Sequence, residues 1–327
     1  MEGFPRPVLL VSRCLEFDNV RYNGQKVSSP IVRDLMQFAD MKIVCPEVEI
    51  GLGVPRETLR IVRINGEHRL IQTKGGLDFT ERMNSFAEKF LDELGEVDGF
   101  IFKGLSPSMG LGNVKVYGKA EMSPVVERSS GFFAGHVIDR YHGYPMEESE
   151  RLLNVHIRHH FLTSLYAFAD FRQIKNQGSM DLLMDFHRKN VFLFMSYSPL
   201  LLDKMSGLIS GTESEKMVFD EYTSLLKEML RKPGSEVLKI ETAKKMLLTS
   251  GDKDNNEILF FDNMLRRFSE NRISWDAVIE VLRMFSFRTL GEESHKDRFL
   301  YPYPEELKAP VDESRGKDYW DNEWNKE

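Results

Sequence analysis

Two cysteines, Cys14 and Cys45, each stand just past an apolar run of strand length. Val8-Leu9-Leu10-Val11 leads into Ser12-Arg13-Cys14, and Met41-Lys42-Ile43-Val44 leads into Cys45-Pro46-Glu47. A third run, Gly99-Phe100-Ile101-Phe102-Lys103, leads into Ser106-Pro107-Ser108-Met109-Gly110. Thiolates at such places suit a soft metal centre or a nucleophile. Free cysteine is also among the most buried residue types, so two small core hydrophobes are the plain alternative. The wide separation of the pair excludes a CxxC or zinc-finger arrangement. Glu47 could act as a general acid or base, or could cap a helix or loop. Ser106 and Ser108 could hold a substrate with their hydroxyls, or close a turn around Pro107. Gly51, Gly53, Gly110 and Gly112 permit close backbone approach to a ligand, but no GxGxxG follows a strand, so a dinucleotide fingerprint is not supported.

Positioning these groups requires a fold that gathers strand ends. The order of elements over the first part is strand, helix, strand, helix, strand, which implies a parallel sheet with right-handed crossovers. A hairpin is expected about Asn65-Gly66 and a helix from Thr80 to about Leu94. In open parallel sheets the ligand crevice lies outside the carboxyl ends of the strands, so the three loops are expected to form one site. From about Ser129 helical periods dominate and no strand pattern competes. The fold class expected is therefore an α/β domain with a mainly parallel sheet over residues 1–146, followed by an all-α domain over 147–310 and a polar acidic tail over 311–327. In that tail only Tyr319, Trp320 and Trp324 are large anchors, and loose order is expected.

The chain as a whole narrows the function classes. At 327 residues it can bury two cores, and 41% hydrophobic with 29% charged residues is ordinary for a soluble globular protein. A net charge of -7 does not advertise a nucleic-acid binder, although a local basic face can work within an acidic chain. Two cysteines cannot make a disulfide framework. The start lacks a secretory pattern and no run reaches transmembrane length, so no membrane partner and a cytoplasmic location are expected.

Three separated motifs together carry a resemblance. Ser12-Arg13-Cys14 with Asn19-Val20-Arg21-Tyr22-Asn23-Gly24 is the first. Cys45-Pro46-Glu47 with Gly51-Leu52-Gly53-Val54-Pro55-Arg56 is the second, and Lys103 with Ser106-Pro107-Ser108 and Gly110 is the third. In this order they resemble the thiouracil desulfidase (TudS) domain family. Asp185-Phe186-His187-Arg188-Lys189 through Ser196-Tyr197-Ser198-Pro199, with the late Tyr301-Pro302-Tyr303-Pro304-Glu305-Glu306-Leu307, resemble a YbgA-type helical domain. The fused pair is similar to RudS-type proteins over roughly residues 7–308. The resemblance implies a 4Fe–4S cluster held by three cysteines, with one open iron acting as a Lewis acid that accepts sulfur from a thiocarbonyl without net redox. It further implies Cys14 and Cys45 as two ligands, Glu47 as the acid/base residue and Ser106 as a substrate contact. The implied substrate is thiouracil or 4-thiouridine, in tRNA for the fused form. Met109 stands where the family motif has its third cysteine, and a neutral thioether is a weaker ligand than a thiolate. Loss of that thiolate would leave a cluster-deficient, non-catalytic nucleobase or RNA-binding homologue, which is the alternative function.

The helical part is expected to supply partner contacts. His156 and His160 share a helix face, but no HExxH is present and no third metal ligand is evident. A solvated or phosphate-facing surface is the expectation there. His187, Arg188 and Lys189, with Ser108 from the first domain, are the substrate or RNA contacts expected, since cations beside aromatics track phosphates while bases stack. An ordinary charged helix surface is the alternative. No pattern reads sequence-specifically, so DNA specificity is not expected.

Overall fold

The computed structural model describes residues 3–309; the tail expectations from 311 onward lie outside the described residues. The chain begins β1 (Val8–Ser12), α1 (Pro30–Leu35), β2 (Asp40–Val44), α2 (Pro46–Glu49), β3 (Leu59–Ile64), β4 (Glu67–Gln72), α3 (Thr80–Glu93) and β5 (Gly99–Phe102). It continues β6 (Val114–Tyr117), β7 (Val125–Ser129), α4 (Phe132–Arg140), β8 (Met146–Glu148) and α5 (Val155–Gln177). Six more helices follow: α6 (Met180–Tyr197), α7 (Pro199–Ile209), α8 (Glu215–Met229), α9 (Glu236–Thr249), α10 (Asn255–Ser269) and α11 (Trp275–Leu290).

β1 and β5 are continuous apolar runs because both faces of their sheet are covered, as buried parallel strands require. The sheet has the order β2-β1-β5-β8, and every pairing in it is parallel. β1 is therefore flanked by strands that follow it in opposite directions, and the order reverses between β1 and β5. A second sheet has the order β4-β3-β6-β7. Its first pair is the hairpin on Asn65-Gly66, where both residues have positive φ, as a primed turn requires.

Sequence patterning did not show β6, β7 or β8. β8 is a three-residue edge strand, Met146-Glu147-Glu148, with no alternation to betray it. It displaces the helix start expected at 147 to Val155, where Asn154 caps α5 by accepting from His156 N and Ile157 N. The second half is helical from there on, as expected.

α5 runs the depth of the molecule and belongs to two cores. Its first half puts Phe161, Leu162, Leu165 and Tyr166 against Leu9, Val11 and Ile101 of the first sheet and Ile31, Val32 and Leu35 of α1. Its second half puts Phe168, Phe171 and Ile174 among the helical-domain side chains, including Phe186, Phe194 and Tyr222. The helix descends from the carboxyl end of the strands to their amino end. There Arg172 grips buried Asp98 at 2.8 and 3.0 Å, and Asp98 also accepts from Val8 N–H at 2.7 Å. Burial raises the Asp98 pKa against the pull of Arg172.

On the other face, α3 and α4 pack Met83, Ala87, Leu91, Phe133, Ala134 and Val137 over Phe100 and Phe102. The start of α4 also fixes the third site loop. Gly131 N donates to Gly110 O, Phe132 N to Pro107 O and Ala134 N to Ser108 O. A Cβ at Gly131 would stand 2.5 Å from the Ser108 carbonyl carbon and 2.9 Å from Met109 N, so glycine is required for this approach. Gly131→Ala is expected to lower stability by about 1–3 kcal/mol, the usual cost of overpacking, in urea denaturation. Retention of full stability would show that the turn can yield.

Candidate functional site

The three strand-end loops converge. Arg13 N donates to Val44 O at 2.8 Å and Lys103 N donates to Ser12 Oγ at 2.9 Å, which ties the ends of β2, β1 and β5 side by side. Above them lies a cavity of about 310 Å³, at the reversal of strand order where α/β sheets place ligands. Cys14, Cys45, Glu47, Ser106, Ser108 and Met109 all line it. So do Arg21, Tyr22, Arg56 and Lys103, which residue chemistry alone did not single out.

Cys45 is the residue before a short helix that Pro46 opens, and its side chain caps no backbone group there. Glu47, on the same short helix, does not cap it either. One carboxylate oxygen accepts from Ser108 Oγ at 2.7 Å, and the other accepts from Arg56 Nε at 2.8 Å with Arg56 Nη2 also at 2.8 Å. Arg56 is held in turn by Val20 O at 2.8 Å. The side chains of Arg56 and Glu47 are 6% and 12% exposed, so the pair is nearly withdrawn from water and its two charges depend on each other. Ser106 has a turn role: its Oγ accepts from Met109 N at 3.1 Å and Ser108 N at 3.3 Å. The two serine hydroxyls are 3.1 Å apart, so Ser106, Ser108, Glu47 and Arg56 form a continuous polar chain along one wall. Arg56 follows Gly53-Val54-Pro55, and the turn residues before it were the sequence signal that could have marked it.

Both thiols are only partly exposed and neither is disulfide-bonded. Burial pushes the Cys14 thiol up to about 11; a charge on Cys45 pushes the same way, against Lys103 and Arg21. Burial also raises Cys45, opposed by the backbone N–H of Val48. Both thiols line one cavity with Arg21, Arg56 and Lys103. Lys103 bonds Gly104 O and is paired with Glu150, just past β8.

A three-thiolate cluster set is not present. The third wall position is Met109, 4% exposed and packed with the core under Phe102, Phe133 and Ala134. Among the described residues no group of three His, Cys, Asp or Glu side chains is arranged to hold a metal ion. Two thiols and a neutral thioether are soft donors, but they lack the charge that three thiolates bring to an iron–sulfur cage. The residues present do not fit a 4Fe–4S cluster so held.

His187, Arg188 and Lys189 do not line the cavity. Both ring nitrogens of His187 are engaged inside the helical domain, by Tyr222 OH at 3.1 Å and Ser206 Oγ at 3.0 Å. Arg188 and Lys189 both pair with Asp185. Among the described residues no helix is long and apolar enough to cross a membrane.

Comparison with known proteins places the two halves separately. Residues 9–149 match the family described as 2-thiouracil desulfurase, and residues 192–304 match a family described as a protein of unknown function, DUF1722. An uncharacterized protein, YbbK of Bacillus subtilis (strain 168), is 36% identical over 112 residues, which are 32% of this chain and 74% of that protein. A solved structure of a [4Fe-4S]-dependent thiouracil desulfidase, TudS (DUF523Vcz), is 26% identical and aligns over 45% of this chain and 94% of its own, with a TM-score of 0.34. With its strand-end cavity, its Cys-Pro-Glu turn and the match over residues 9–149, the chain belongs to the 2-thiouracil desulfurase family.

Proposed function

We propose that the strand-end cavity binds a thiolated uracil and exchanges its sulfur for oxygen, with the base carried in RNA, tRNA being the natural substrate class, and with the reaction taking place in the cytosol. The observation that carries this is Glu47: a carboxylate fixed by Arg56 and Ser108 on the wall of the cavity that also holds Cys14 and Cys45, in a chain of this family. Val20, Val44, Leu105 and Tyr22 offer the flat base apolar walls, and a few polar groups set its orientation, as small-molecule sites do.

The chain's own residues supply a hydrolytic route. Water adds through oxygen to the thiocarbonyl carbon while Glu47 takes its proton. Glu47 returns that proton to sulfur, the carbon–sulfur bond breaks with its electron pair leaving as hydrosulfide, and the remaining proton on the added oxygen passes by way of Glu47 to the hydrosulfide as the carbonyl forms. The products are the carbonyl base and hydrogen sulfide, and no electrons are exchanged. Lys103 and Arg21 line the same cavity and are the cations available to offset negative charge on the departing sulfur. A base in folded RNA must leave its stack to reach the cavity, as in other base-modifying enzymes.

A second reading is favoured by Met109: a pocket that recognises the thiolated base without turning it over. The two are separated by following loss of thiocarbonyl absorbance from free 4-thiouracil and from thiolated tRNA. Turnover with Glu47→Gln lowered by about 10²-fold or more supports the enzyme, because that is the usual worth of a general base. Tight binding with no turnover by the unaltered protein supports the binder. Met109→Cys is expected to raise iron and sulfide content after anaerobic reconstitution. Unchanged content in that variant would show that position 109 is not the missing donor.

A further inference from the structure

The second sheet presents a row of cations on one face. Its other face is the buried one, where Ile61 of β3 and Val114 and Val116 of β6 pack together against Phe132. Side chains alternate along a strand, so the residues between these point the opposite way. Arg60 precedes Ile61, and Lys115 stands between Val114 and Val116. Ile61 is in register with Val116 across the parallel β3–β6 pair, and Lys115 with Arg128 across the antiparallel β6–β7 pair. Arg60, Lys115 and Arg128 therefore stand side by side on neighbouring strands, which lie about 4.8 Å apart. Lys115 and Arg128 are exposed and Arg60 is half-buried.

The two guanidiniums are held by neutral groups. Arg60 Nη1 donates to Ala120 O at 3.1 Å, and Arg128 Nη1 donates to Asn113 O at 2.9 Å. The carboxylates of this sheet are engaged elsewhere: Glu67 pairs with Arg69, and Glu127, in register with Val116 of the buried face, pairs with His68 and Arg63. Among the described residues none of Arg60, Lys115 and Arg128 has an ion pair. Like charges directly opposite on a sheet are destabilising, so the fold keeps a row that an anion would relieve. Tyr117, two residues after Lys115, shares the face, and the Arg60 guanidinium lies over its ring, 4.5 Å from the centroid. Cations beside an aromatic are the complement of a single-stranded nucleic acid, whose phosphates follow the charges while a base stacks.

The row lies at the end of the sheet that joins the cavity loops. Arg60 is four residues past Arg56 of the cavity wall, and Arg128 is three residues before Gly131, which presses on Ser108 and Met109. An extended chain covers at most about 3.6 Å per residue, so Arg60 is within about 14 Å of Arg56 and Arg128 within about 11 Å of Gly131. We propose that Arg60, Lys115 and Arg128, with Tyr117, dock the phosphodiester backbone of the RNA that flanks the base in the cavity. The proposal rests on the thiolated-RNA reading above and names the surface that serves it. In a chain of net charge -7, a polyanion needs such a local face.

The experiment uses the full chain and no turnover. Binding of a fluorescent single-stranded RNA oligomer, carrying either one 4-thiouridine or uridine in its place, is measured by anisotropy over a range of salt. Lys115→Gln and Arg128→Gln are each expected to weaken binding of both oligomers about threefold and to reduce the slope of log K against log salt by about 0.7, the value for one phosphate contact on a single strand. Lys115→Arg should retain both affinity and slope. Arg266→Gln, which removes an exposed charge already met by Glu270 on α10, should leave the slope unchanged. Equal losses for the two oligomers support the docking face even where the unaltered protein shows no preference for the thiolated base, a result that counts against the sulfur-exchange reading alone. RNA binding by the unaltered protein with the same affinity and slope in Lys115→Gln and Arg128→Gln overturns the face and leaves that reading standing. Failure of the unaltered protein to bind either oligomer overturns the face, as does binding to vesicles of an anionic phospholipid in place of RNA.

Discussion

A strand paired in parallel on both sides, whose partners follow it by crossovers in opposite directions, leaves a gap above its carboxyl end that neither crossover can fill. β1 is that strand, between β2 and β5. Everything at the site follows from the gap. Ser12 ties β1 to Lys103, the loop after β1 brings Cys14, and the loop after β2 brings Cys45 and Glu47. α4, pressed through Gly131 onto the third loop, brings Ser108 up to Glu47. No local sequence motif could have assembled these groups; the topology does it.

Within the gap, electrostatics divides the wall into two kinds. On one side the Glu47 carboxylate and the Arg56 guanidinium are nearly dry and hold each other in place. On the other, burial disfavours the charged form of both thiols, and the nearby cations only partly offset it. A site organised in this way favours holding a polarisable sulfur-bearing base beside a fixed proton acceptor. It does not favour a free thiolate nucleophile. Met109 adds bulk without charge to the same wall, which is why the donor set falls short of an iron–sulfur cage.

What could be read from residues alone follows a physical division. β1, β2 and β5 were legible because they stand as apolar runs between turn residues, and the Asn65-Gly66 hairpin because its turn demands those two residues. β8 was not, since three polar-flanked residues on a sheet edge carry no period. Cys14, Cys45, Glu47, Ser106, Ser108 and Met109 could be grouped by their common place after strand ends. Arg56 was visible only as the end of the Gly53-Val54-Pro55 turn, while its role depends on a carboxylate nine residues away and on a carbonyl from the first loop. His187 read as part of a basic surface because sequence shows its charged neighbours and hides Tyr222 and Ser206, which occupy both its nitrogens.

α5 is buried through its middle, from Phe161 to Phe171, because two cores share it, the sheet's toward its start and the helical domain's beyond. The sequence match to the desulfurase family ends at residue 149, before this helix begins. A homologue lacking the helical half would lose the cover that Phe161, Leu162, Leu165 and Tyr166 give Leu9, Val11 and Ile101, with only α1 remaining on that face. In this protein the two modules are thus not beads on a string: one helix serves as a wall of both, and removing it would uncover apolar side chains in each.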